Sequence, residues 1–432
     1  MQAHATTRST AGVTRRGFLL GAGGIGAGLA LAGCAPLGGS SSRPETITFY
    51  VSKPEVIGYF DDVIAKFHDS QSTIRVVRDS TSNMSANLVR NRPPDLGCLN
   101  YNYAMVSFVE HGALTDLSDL PEKDTINPDL WPLMRQTADY PGRTSVLPYS
   151  VTAASVIYDK QLFAQQGLEV PTTWSAFTDV CERLVKAGIT PMYGTYKDNW
   201  TIAQGMFDYS VGGMLDVPST FAALDREGTS VGRGSAVSFE KDFAAPVGRM
   251  VDLLQWHQQG AASRGYGDGN LAFAQGKAAM YLQGPWALGE IAKTNPDMDL
   301  GTFPFPATDD PADNKVRVNV DLGLWIPEAS RKQEAAREFL SFLMSPEISD
   351  RYNADNNGFG VRKDSPPVSN PALRGMQDSY DQAAFYLGAS QLIPAEIPVA
   401  NYLQSIAFGG APDPQLRTLD GDWARLALRS AA

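Results

Sequence analysis

The sequence predicts an α/β protein whose strands form open sheets flanked by helices. A β-branched run, Thr46–Val51, is followed by apolar residues at helical spacing (Val56, Ile57, Phe60, Val63, Ile64, Phe67) and then by a second such run, Ile74–Val77. This order reads as a βαβ unit. A second unit follows, with a polar helix around Met84 to Arg90, a strand at Asp95 to Leu99 and a helix from about Met105 to His111. Two long extended apolar stretches, Ser145–Tyr158 and Val316–Ile326, complete the pattern. Parallel strands joined by right-handed crossovers make an open sheet, and such sheets bind ligands beyond the carboxyl ends of their strands.

The first 33 residues stand apart from this pattern. Thr14-Arg15-Arg16-Gly17-Phe18-Leu19-Leu20 has the twin-arginine form of an export signal. The glycine-diluted stretch from Gly17 to Gly33 is shorter than the roughly 20 residues a bilayer core requires. Leu31-Ala32-Gly33-Cys34 closes it and resembles the bacterial lipobox, in which the cysteine thiol takes a diacylglyceryl group before cleavage. A lipoprotein signal peptide is therefore expected over 1–33, with Cys34 as the lipid attachment site and 34–45 as a small, polar, flexible tether. Gly21, Gly23 and Gly26 have the spacing of a dinucleotide-binding loop, but no strand precedes them and the segment is removed.

The chain of 432 residues has a formal charge of -11, which falls to -14 once the signal, with three arginines and no acid, is gone. An acidic surface argues against nucleic acid or anionic lipid as a partner. The 399 residues that remain suffice for two or three domains. Cys98, in a strand, and Cys181, in a helix, read as buried free thiols. His68, His111 and His257 are widely spread, so no metal-ligand spacing is present and neither a metal nor a cofactor is implied.

The strand ends carry Ser52-Lys53-Pro54-Glu55, Asp79-Ser80-Thr81-Ser82 and Asn100-Tyr101-Asn102-Tyr103, which are rich in hydrogen-bonding groups and contain no nucleophile paired to a base. Pro171-Thr172-Thr173 predicts a cap for a helix starting near Trp174. Ser330 with Gln333 predicts a capping box, opening a helix whose Ala335, Ala336, Phe339, Leu340 and Leu343 form one apolar face. Residues 225–238 read as a polar, glycine-rich surface loop.

Several segments, in order, resemble the extracellular solute-binding proteins of ABC importers, in the sugar-binding, maltose-binding-protein-like group. They are Pro94-Asp95, His111–Leu117, Leu147-Pro148-Tyr149, Ile157–Phe163, Gly167–Trp174, Phe273–Met280, Gly284-Pro285-Trp286 and Glu334–Leu340. The resemblance implies the two-lobed periplasmic-binding-protein fold of class II type, each lobe an open sheet flanked by helices, with a ligand cleft at the hinge. The two extended stretches then become hinge crossings. Lobe one is placed at 46–148 plus 324–364, and lobe two at 149–323 plus 365–432. The implied role is a lipid-anchored, monomeric receptor outside the cytoplasmic membrane that binds a di- or oligosaccharide and delivers it to the permease and ATPase of an ABC importer. Val51-Ser52-Lys53 and Asp159 depart from the pattern of relatives, which often show an aromatic-rich turn and an asparagine at these places.

A sugar offers hydroxyls around its edge and C–H groups on its faces, so its site calls for planar polar side chains and aromatic rings. Trp286 matches a sugar-stacking tryptophan of the group, and Trp200, with Asn199 at its edge, matches a segment that brings an aromatic ring to the ligand. Tyr402 lies in Leu392–Tyr402, which resembles a ligand-capping segment. In lobe one the candidates are Lys53, Glu55, Thr81, Asn100 and Asn102. Near the crossings they are Tyr149, Thr152, Asp321 and Asn357, and a buried Asp321 would need partners that ligand hydroxyls supply.

The rival function is an exported carbohydrate-active hydrolase using carboxylates such as Glu55 and Asp321. Gly228-Thr229-Ser230-Val231-Gly232 has nucleophile-elbow spacing, but it sits in a polar loop without the strand-turn-helix context. A third reading keeps the receptor fold and changes the cargo to a non-sugar solute. Anionic cargo calls for clustered arginines, whereas the cleft segments hold only Lys53 and Lys197.

Overall fold

Residues 43–90 and 92–430 are described by the computed structural model of the chain. Arg15, Arg16, Cys34 and the whole of 1–42 lie outside the described residues. Eight strands are present among the described residues: β1 (Glu45–Tyr50), β2 (Ile74–Asp79), β3 (Leu96–Leu99), β4 (Leu147–Asp159), β5 (Met280–Gln283), β6 (Leu300–Phe303), β7 (Val316–Trp325) and β8 (Phe385–Leu387). Their order is β2-β1-β3-β7-β4-β5, with β6 also on β4 and β8 also on β7. β1 runs parallel to β2 and β3, as the βαβ reading requires. β7 is antiparallel to β3 and β4, which makes the sheet mixed.

The two long strands link the halves of the sheet. β4 pairs with β7 from Leu147 to Ala154, then passes between β5 and β6 from Ser155 onward. Its register shifts between Pro148 and Val151, where proline offers no N–H to the ladder. Two apolar cores result. One gathers Phe49, Phe60, Phe67, Leu96, Tyr149, Leu324, Phe339 and Tyr352. The other gathers Val156, Phe163, Phe177, Phe207, Phe239, Phe243 and Leu282. Trp286 and Leu392 pack against both.

Local chemistry explains the elements. The helix Ile57–Ser70 buries Phe60, Val63, Ile64 and Phe67, the stripe its sequence spacing predicts. Phe60 and Phe339 meet Phe49 of β1 edge-on, at 5.3 and 5.4 Å between ring centres. Gly97 of β3 has no substitute, since a Cβ there would lie 2.0 Å from the indole of Trp325. Thr173 caps the helix Trp174–Lys186 by accepting from the Ala176 N–H. Asp159, the departure from relatives, caps the helix Lys160–Gln165 by accepting from the Leu162 N–H.

Two sequence expectations are corrected. Ser330 and Gln333 form no capping box: the Ser330 hydroxyl donates to Asp95, and the Gln333 amide donates to the Pro327 carbonyl. Asp95 competes successfully because it also accepts from the Thr48 N–H and from Lys332, tying the entry to β3 against β1. Residues 225–238 are only partly a loop, because the helix Val217–Glu227 runs into them and a 3-10 turn, Gly228–Ser230, follows. Cys98 and Cys181 are buried free thiols.

Candidate ligand-binding site

Two clusters that include predicted side chains stand out. The first gathers around Asp321, in the middle of β7. Lys53, just beyond β1, donates to both of its carboxylate oxygens at 2.8 and 2.7 Å. Asn100, just beyond β3, donates to the Asp321 carbonyl at 2.6 Å and to Oδ1 at 3.1 Å. The Tyr352 hydroxyl stands 3.4 Å from Oδ2, and burial, reinforced by that carboxylate, pushes its pKa well up. Burial likewise lifts the Cys98 thiol, with Asp321 adding to the effect. Asp321 therefore finds within the chain the partners that sequence reasoning assigned to ligand hydroxyls. The pair also neutralises Lys53, so it offers an array of donors and acceptors rather than a lone cation.

The second cluster is aromatic. Trp200, Tyr266 and Trp286 occupy the first turns of three helices, Asn199–Ile202, Tyr266–Ala274 and Trp286–Thr294. The Trp200 ring centre lies 5.1 Å from that of Tyr266 and 6.4 Å from that of Trp286, with the planes tilted by 58° and 59°. All three are half-buried. The Trp286 indole N–H donates to Gln283 at 3.1 Å, and the Tyr266 backbone N–H donates to Asp198 at 2.7 Å. Pro285 is the residue directly before the helix. Gly284 clears the space for the indole, because a Cβ there would lie 2.2 Å from it. Tyr266 and Gln283 escaped the sequence reading. Gln283 directly precedes the Gly-Pro-Trp motif, and Gly265 followed three residues later by Asp268 marks the helix start that presents Tyr266.

The remaining candidates are dispersed. Glu55 is exposed, Thr81 donates through its backbone N–H to Asp79, and the Asn102 carbonyl accepts from the Met105 N–H. Thr152 is half-buried on β4 opposite Asn319. Asn199 donates to Asn401, beside Trp200. Tyr149 does not reach a surface: it is 0% exposed, packed 5.0 Å from Tyr352 and 6.0 Å from Phe60. Tyr402 turns away toward the C-terminal helix, where its hydroxyl donates to Asp422. Asn357 holds a turn, at φ 57° with its side-chain oxygen accepting from Asn370.

Hydrolytic machinery does not assemble from the residues named for it. Ser230 ends a 3-10 turn that follows a helix, with no strand leading into it. Asp321 is engaged by Lys53 and Asn100, and Glu55 lies out on the surface.

A profile described as bacterial extracellular solute-binding protein matches residues 53–349. The uncharacterized ABC transporter extracellular-binding protein PH1214 of Pyrococcus horikoshii is 23% identical over 325 residues, which cover 71% of this chain and 69% of that one. The diacetylchitobiose binding protein DasA of Streptomyces coelicolor is 26% identical over 367 residues, covering 78% and 77%. Among solved structures, the apo form of RafE from Streptococcus pneumoniae superposes with a TM-score of 0.78 at 18% identity, covering 89% of this chain and 99% of that one. RafE in complex with raffinose gives 0.72 at 19% identity, covering 88% and 99%.

Proposed function

Because the chain belongs to the bacterial extracellular solute-binding proteins, which are receptors and not enzymes, we propose that it binds a neutral di- or oligosaccharide and hands it to an ABC permease and its ATPase. The observation that carries this is the cluster of Trp200, Tyr266 and Trp286. Rings spaced in this way offer apolar faces to consecutive sugar units, and the cluster of Lys53, Asn100 and Asp321 offers hydroxyl-sized donors and acceptors. The diacetylchitobiose and raffinose ligands of the relatives support a short neutral saccharide. The neutralised Lys53 supports it too, since anionic cargo calls for uncompensated cations.

In this reading β4 and β7 are the hinge crossings, lobe one comprises 46–148 plus 324–364, and lobe two the remainder from 149. Ligand touching both lobes binds the closed state more tightly and shifts the equilibrium toward it. The twin-arginine and lipobox motifs support export, followed by anchoring through Cys34 at the outer face of the cytoplasmic membrane, where a flexible tether raises its concentration near the permease. Cys34→Ala should release it from the membrane fraction.

Intrinsic tryptophan fluorescence tests the proposal, because two of the proposed contacts are tryptophans. Titration with a panel of neutral di-, tri- and tetrasaccharides should give a saturable change for at least one. A response to amino acids or inorganic phosphate alone overturns the carbohydrate assignment.

A further inference from the structure

A concavity of about 310 Å³, within the range of small-ligand sites, shares no lining residue with the two clusters described above. Its lining includes Tyr101, one residue beyond Asn100, and Ser145 and Val146, which lead into β4. We propose that this pocket binds a small aromatic carboxylate, at a site distinct from the one proposed for sugar.

Charge is the first argument. The lining holds three cations, Lys123, Arg135 and Arg143, against one acid, Asp139, in a chain whose net charge is -11. Arg135 ends the helix Leu130–Arg135 and has no ion-pair partner among the described residues. Lys123 meets the outside carboxylate Asp124 only at 3.9 Å; Arg143 meets Glu328 at 3.8 Å, donates to the Leu114 carbonyl at 3.2 Å and helps hold the Asp116 carboxyl below its usual range, which still leaves most of its guanidinium donors open. An oxyanion suits such a set, since guanidinium groups bind carboxylates in forked pairs.

The second argument is a hydroxyl left without a partner. Ser145 is 6% exposed, lines the pocket and makes no side-chain hydrogen bond among the described residues. Buried polar groups are normally satisfied, and a ligand oxygen would satisfy this one.

The third argument selects a ring as the body of the ligand. Trp131, Met134, Tyr140 and Val146 form apolar wall, and the Arg143 guanidinium lies 4.7 Å over the Tyr140 ring, stacked rather than free to collapse inward. A bare inorganic anion would leave that wall uncovered.

Calorimetric titration of the purified full-length chain with benzoate tests the proposal, alongside benzyl alcohol as the uncharged ring and inorganic phosphate as the bare anion. Benzoate should bind saturably at one site, and at least about tenfold more tightly than either control. Arg135→Gln, at an exposed helix end, should weaken benzoate about tenfold while leaving the sugar-induced fluorescence change intact, and Ser145→Ala should weaken it about threefold. No saturable benzoate binding overturns the proposal, as does benzoate affinity unchanged in both variants. Equal affinity for phosphate or for benzyl alcohol also overturns it, reducing the pocket to a bare-anion site or an apolar cavity.

Discussion

The Lys53 ammonium sits 2.8 and 2.7 Å from the two carboxylate oxygens of Asp321, joining the end of β1 to the middle of β7 across 268 positions of sequence. Both side chains are largely shielded, at 25% and 11% exposure, so neither charge is fully hydrated when the other is removed. Asp321→Ala and Lys53→Met should each cost about 1–3 kcal/mol in denaturant unfolding. The double variant should cost less than the sum, because it leaves no stranded charge. Strict additivity would show that the two groups act independently.

Gly284 should be as intolerant as the tryptophan it accommodates. A methyl group at this position overlaps the Trp286 indole at 2.2 Å, and the ring must swing away from Gln283. Gly284→Ala should therefore change the near-ultraviolet circular dichroism of the tryptophans and weaken sugar binding about tenfold. Wild-type affinity in this variant would remove Trp286 from the site.

Asp208 and Arg317 form an ion pair at 2.6 Å with both side chains 0% exposed, and Ser390 donates to the same carboxylate through its N–H and hydroxyl. Removing one partner buries an uncompensated charge. Asp208→Ala should lose about 3–5 kcal/mol of stability by chemical denaturation. A loss under about 1 kcal/mol would mean that water reaches Arg317.

His257 sets an acid limit on stability. Burial pushes its pKa down from 6.5 to about 4, opposed in part by the hydrogen bond between its Nδ1 and the Leu253 carbonyl. Between these values the unfolded chain holds a proton that the folded chain does not. The contribution is therefore intact above pH 6.5 and declines as the pH falls toward about 4. His257→Gln should flatten the fall in unfolding free energy over that window. An unchanged slope would assign acid sensitivity to other groups.

Periodicity made the scaffold legible. The stripe on the helix Ile57–Ser70 and the runs that became β1, β2, β4 and β7 all follow from spacing of apolar residues. Lys53 and Asn100 were also nameable as polar groups at strand ends, Asp321 as a carboxylate inside an apolar run, and Trp200 and Trp286 through the resemblance of their segments. Their pairing was not, because Asp321 meets Lys53 through the sheet order rather than through any local signal. Tyr149 was misleading for a related reason: beside Pro148 the register of β4 shifts, and the ring enters the core next to Phe60 and Tyr352. Tyr402 is tied through its hydroxyl to Asp422 on another helix, a pairing with no local signal. Ser330 looked like a cap until Asp95, distant in sequence, claimed its hydroxyl.

The central claim is a neutral saccharide stacked on Trp286, and calorimetry of the wild-type protein and Trp286→Ala against neutral di- to tetrasaccharides tests it most directly. The account predicts one-to-one binding of at least one sugar by the wild type, with affinity reduced about tenfold or more, roughly 1.4 kcal/mol, in a folded Trp286→Ala. Binding of no neutral saccharide, or a Trp286→Ala variant that keeps full affinity, would contradict it.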